Sequence, residues 1–133
     1  MKRVYCISML TAVLLLFLMG PVEAKKMVLV GIPITQTRAT IDSSFHVNLD
    51  NNQKVSNRLV IVEEDGKYYW KTRDNKELTF KKMKRFHLFI DPETGGYIKV
   101  IKQEDGRLVY LEHISFVDFR SFTYWGVVNT YEP

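Results

Sequence analysis

The chain has 133 residues, 46% of them apolar and 26% charged, and a formal net charge of +4. That length suits one domain with a core of its own. The balance of 19 Lys and Arg against 15 Asp and Glu lacks the basic stripe that marks a nucleic-acid binder, and the single cysteine, Cys6, excludes an internal disulfide.

Residues 1–24 read as an export signal. Lys2 and Arg3 supply the positive start, an apolar run extends from Val4 to Met19, Gly20-Pro21 breaks it, and Val22-Glu23-Ala24 offers a cleavage site. A spanning helix needs about 20 apolar residues. This run is shorter and carries Tyr5, Cys6, Ser8 and Thr11, so cleavage after Ala24 is expected rather than a retained anchor. Residues 25–133 then form one domain that does not span the membrane. It has no thiol nucleophile and no Cys-based metal site, and it is exported to a bacterial periplasm or envelope, or secreted.

The remainder reads as a series of strands. Runs at 27–33, 44–49, 58–63, 67–72, 85–90, 97–103, 107–114 and 121–129 are β-branched and aromatic or alternate in polarity. Phe45, Val47 and Leu49 mark one half-buried strand; Phe86, Leu88 and Ile90 mark another; Ile98 and Val100 a third. The runs Met27–Ile32 and Leu59–Val62 are apolar on both faces and suit covered strands. Asp65-Gly66 and Asp105-Gly106 are tight hairpin signals, Asp91–Gly96 is a longer turn, and Asp50-Asn51-Asn52 is another turn. Residues 34–43 fit a strand or a loop. Residues 73–84 fit one helical turn after Asp74, or a strand through Leu78-Thr79-Phe80. The fold class is all-β, with at most one short helix: an antiparallel meander of seven to eight strands in a small barrel or a two-sheet sandwich.

Phosphate-loop, serine-elbow and His-x-x-x-His patterns are absent, and no cofactor is implied. His46, His87 and His113 lie on three different predicted strands, without metal-site spacing. Glu112 and His113 are a carboxylate beside an imidazole, with Asp118 near, but adjacent strand residues leave opposite faces. Tyr68-Tyr69-Trp70 follows a hairpin turn; Phe116, Phe119, Phe122, Tyr124 and Trp125 crowd the C-terminal segment. Such rings build a core, or a platform for sugars, lipid tails or protein side chains. By alternation, either Tyr69 or the pair Tyr68 and Trp70 faces out. The basic cluster Lys81, Lys82, Lys84 and Arg85 fits a solvated face, or attraction to anionic lipid or an acidic partner.

The segments Tyr68-Tyr69-Trp70-x-x-Arg73-x-Asn75-x-x-Leu78, Gly96-Tyr97-Ile98-Lys99-Val100, Tyr110-Leu111-Glu112-His113 and Thr123-Tyr124-Trp125-Gly126 resemble a group of small exported bacterial proteins. The resemblance implies export and carries no activity. It directs attention to Tyr69, Trp70, Arg73, Glu112, His113, Tyr124 and Trp125, with Asn75 in a turn and Arg73 available to pair with Glu112. The leading expectation is a non-enzymatic envelope binding or accessory protein whose site draws on Tyr68, Tyr69, Trp70, Arg73, Glu112, His113, Tyr124 and Trp125. Its ligand would be a protein, a glycan or a lipid. The alternative is a small hydrolase or lyase on an envelope polymer, using a histidine with a carboxylate.

Overall fold

A computed structural model describes residues 25–133; the expected signal segment lies outside them. The strands are β1 (Lys26–Ala39), β2 (Ser44–Asn48), β3 (Leu59–Glu64), β4 (Lys67–Trp70), β5 (Lys76–Lys82), β6 (Phe86–Ile90), β7 (Tyr97–Lys102), β8 (Leu108–Ser115) and β9 (Ser121–Tyr131), with one helix, α1 (Asn51–Ser56), between β2 and β3. From β3 to β9 each strand pairs antiparallel with the next, and β1 pairs with both β3 and β9. Eight strands therefore close into a barrel, and β2 hangs outside it on the second half of β1. The barrel alternative is the observed one.

Both Asp-Gly signals fall in hairpin connections, Asp105-Gly106 in a longer one closed by the Gln103 N–H donating to the Arg107 carbonyl at 2.8 Å, and Asp65-Gly66 in a tight one. Asp65 and Gly66 both take positive φ, 54° and 73°, the geometry that matches a two-residue turn to strand twist. The Thr-rich stretch continues β1 as far as Ala39, and Leu78-Thr79-Phe80 lies in strand β5 rather than a helical turn. The one helix among the described residues arises elsewhere. Asp50 caps it, its carboxylate accepting from the Gln53 N–H while the Gln53 side chain accepts from the Asp50 N–H. This reciprocal box specifies a helix start where a bare turn was expected. The helix buries none of its residues, so it leaves no apolar period in the sequence.

Two expected faces are corrected. Strand β2 is exposed throughout, Phe45 and Val47 included, because the barrel closes without it and gives it no interior. Only Leu49, just beyond it, is buried. In β6 the inner face is His87 and Phe89. Phe86, Leu88 and Ile90 are half-buried on the outer wall, where the Lys99 ammonium lies 4.2 Å from the centre of the Phe86 ring.

The core holds Leu29, Leu59, Ile61, Trp70, Leu78, Phe89, Ile98, Val100 and Tyr110. Tyr110 lies across the barrel interior against Gly31 and Gly126: a Cβ on either glycine would collide with its ring. Below it, the rings of Tyr68, Phe80 and Phe89 pack at tilted and edge-on angles with centroids 4.8–5.4 Å apart. The two mouths differ. One is ringed by the turns at 71–75, 91–96 and 116–120, the other by those at 65–66, 83–85 and 103–106.

A candidate binding cup at the first mouth

Strand alternation sends Glu112 inward, on the same face of β8 as Tyr110. It is fully buried. The Trp70 indole N–H, at the end of β4, donates to Glu112 Oε1 at 3.1 Å. The turn after β4 passes through left-handed Asp74 and Asn75, with φ of 54° and 55°. It folds Arg73 back over the mouth, where Nη2 lies 3.1 Å from Glu112 Oε1 and Nη1 donates to the Thr72 carbonyl at 3.1 Å.

This pair is electrostatic rather than hydrogen-bonded. Arg73 Nε and Nη2, and Glu112 Oε2, are buried without a hydrogen-bond partner among the described residues. The buried Tyr110 hydroxyl is in the same position. Burial pushes the Glu112 carboxyl up to about 7, against the opposing pull of the Arg73 charge and the Trp70 hydrogen bond.

Tyr124 of β9 lies beside this pair, with the Arg73 guanidinium 5.5 Å from its ring centre. Its hydroxyl accepts from Gln36 Nε2 at 2.6 Å and donates to Asn57 Oδ1 at 3.0 Å; Arg38 Nε donates in turn to Gln36 Oε1 at 3.0 Å. Burial raises the phenol, so this donor stays protonated. Across the mouth, the buried Asp91 accepts from Thr94 Oγ1 at 2.5 Å and from the Glu93 N–H at 2.9 Å, and Lys76 Nζ lies 3.3 Å away. Burial disfavours the Asp91 charge, but these three donors outweigh it and hold the carboxyl below its usual range.

Between these groups lies a cavity of about 400 Å³ whose apolar wall is Trp70, Ile114, Phe116, Phe122 and Tyr124, with Arg73 and Lys76 as its cations. Its size falls within the range of small-molecule sites. Trp70, Arg73, Glu112 and Tyr124 thus come together, as does the expected pairing of Arg73 with Glu112.

The other four expected residues lie elsewhere. Tyr68 belongs to the interior ring cluster, and Tyr69 sits half-buried on the outer wall opposite Val62 and Glu77. His113 is on the outer face, stacked on Tyr97 at 5.3 Å and bonded to Thr123 Oγ1 at 2.9 Å. Trp125 is 44% exposed beside a separate outer depression with Ile34 and Val109. The histidines do not converge: His46 is on the exposed β2 and His87 at the second mouth. Gln36 and Asn57 escaped notice in the sequence. Gln36 is a polar residue inside a strand, the one signal available for it; Asn57 follows a helix with no apolar pattern.

Among the described residues, no helix is long and apolar enough to cross a membrane. No family model, no curated protein and no solved structure matches this chain.

Proposed function

We propose that the protein is an exported binding protein that takes a small amphipathic ligand in the cup at the first mouth. The ligand's acceptor head, a carboxylate or similar oxyanion, meets Arg73, and its apolar body lies on Phe116, Phe122 and Tyr124. The observation that carries this reading is the Arg73 side chain, 21% exposed, lining an apolar-walled cavity. A planar guanidinium is suited to a carboxylate. The buried Glu112 behind it keeps the guanidinium from turning outward into solvent, and Trp70 holds Glu112 in turn. Export is supported by the charged start, apolar run and Ala24 of the N-terminal segment. Acid–base hydrolysis gains no such support, because Glu112 and His113 leave opposite faces of β8 and Asp118 is occupied by Arg120 at 2.7 Å.

Anilinonaphthalene sulfonate, an aromatic oxyanion, tests the reading in protein carrying Trp125→Phe, so that Trp70 alone reports. The expected result is saturable one-site quenching of Trp70, weakened roughly tenfold by Arg73→Lys, which keeps the charge and loses the fork. Absence of saturable binding, or equal affinity in the Arg73→Lys protein, would refute the cup.

A further inference from the structure

The second mouth is built differently from the first. The turn between β5 and β6, closed by the Met83 N–H donating to the Phe86 carbonyl at 2.9 Å, projects Lys84 and Arg85 at its tip. Lys81 and Lys82 precede it on β5, and Lys102 closes β7 beside it. All five cations are exposed, and none forms an ion pair among the described residues. Of the acidic groups of this end, Glu64 pairs with Lys25, Glu132 with Lys26 and Asp105 with Arg107, while the turn residues Asp65 and Glu104 form no ion pair among the described residues.

Within this rim is a cavity of about 290 Å³, walled by Met83, Phe86, Val100 and Leu108. Its floor is His87, bonded through Nδ1 to the Tyr131 hydroxyl and met edge-on by Phe80 at 5.5 Å. Burial and the neighbouring Lys82 lower the His87 pKa, so the positive charge here belongs to the lysines and Arg85. Concentrated like charge disfavours the compact state. An apolar hollow within such a rim is matched by a molecule with a negative head and an apolar chain.

We infer that the second mouth is a separate binding site for an anionic amphiphile, its head held by Lys84, Arg85 and Lys102 and its chain laid against Met83, Val100 and Leu108. The site is independent of the cup, since Tyr110 and the Tyr68–Phe80–Phe89 rings fill the barrel between them. A free acyl carboxylate and an anionic lipid headgroup share this chemistry.

Calorimetric titration with decanoate tests the free form. Co-sedimentation with phosphatidylglycerol vesicles, against phosphatidylcholine vesicles, tests the membrane form. Binding in either arm is expected, reduced at least roughly tenfold by the pair Lys84→Glu and Arg85→Glu, with Leu108→Lys as a second variant acting on the chain side. Decanoate binding alone assigns a free amphiphile; phosphatidylglycerol binding alone assigns a lipid surface. Because a free carboxylate also suits the cup, the decanoate arm is run in Arg73→Lys protein; binding that persists there and is lost on charge reversal belongs to the second mouth, which keeps this outcome distinct from that of the cup. No binding in either arm, equal binding to phosphatidylcholine, or full binding by the charge-reversed protein would overturn the inference.

Discussion

Replacing Glu112 with Gln removes one charge while keeping the shape and the acceptor that the Trp70 indole uses. The carboxyl sits at about 7 in the folded chain against an ordinary 4.5. Between those values the folded protein holds a proton that the unfolded chain has released. Stability contributed by the neutral acid is therefore complete below pH 4.5, falls as pH rises, and levels off above about 7. At about 1.4 kcal/mol per pH unit, the loss amounts to about 3 kcal/mol. In a domain of this size that is on the order of 10 °C in melting temperature. The Gln protein has no such proton to lose. Thermal unfolding of both proteins from pH 4.5 to 7.5, followed by Trp fluorescence, should show the wild type losing this amount relative to the variant. Other titrating groups are common to both proteins and cancel in the difference. Parallel curves, or a wild type that gains on the variant with rising pH, would show that Arg73 keeps Glu112 ionised and that the desolvation argument is wrong.

Asp91 should behave with the opposite sign. Its carboxyl is held low by Thr94, the Glu93 N–H and Lys76, so Asp91→Asn should cost about 1–3 kcal/mol at neutral pH. That gap should close as pH falls below about 4, as measured by urea unfolding at a series of pH values. The two glycines beside Tyr110 should also separate. The three atoms nearest a Cβ at Gly31 all belong to the Tyr110 ring, whereas a Cβ at Gly126 comes nearest the Ile32 carbonyl oxygen. Gly31→Ala should cost about 1–3 kcal/mol and be rescued by Tyr110→Leu, while Gly126→Ala should cost about 3 kcal/mol or more and resist that rescue. Chemical denaturation of the four proteins checks both expectations.

The strands were legible because period-two patterning and Asp-Gly turns are local signals. The phase of a strand, by contrast, depends on what covers each face. Phe86, Leu88 and Ile90 outweigh His87 and Phe89 as an apolar set, yet the barrel takes the latter pair inside. The ring of Phe86 is covered on the outer wall by a lysine instead. Strand β2 shows the same limit, since an alternating segment needs an interior to face, and closure leaves none for it.

The cup depends on that closure too. Trp70 and Arg73 are three residues apart and could be associated from the sequence, but Glu112 reaches them only because seven successive pairings and the β1–β9 seam bring β8 across from β4. In an open sheet Glu112 would keep one side in water, and its pKa would stay near that of any carboxylate. Closure around a ring as large as Tyr110 leaves no room for a side chain on β9 and β1 where the ring lies. Register places Gly126 directly opposite Tyr110 on β9 and Gly31 on the adjoining β1. Two glycines that read as ordinary members of apolar runs thus admit Tyr110 to the interior. Among the described residues the same closed wall leaves Glu112 with Arg73 as its only ion-pair partner, and so makes the cup's electrostatics a consequence of how the barrel shuts.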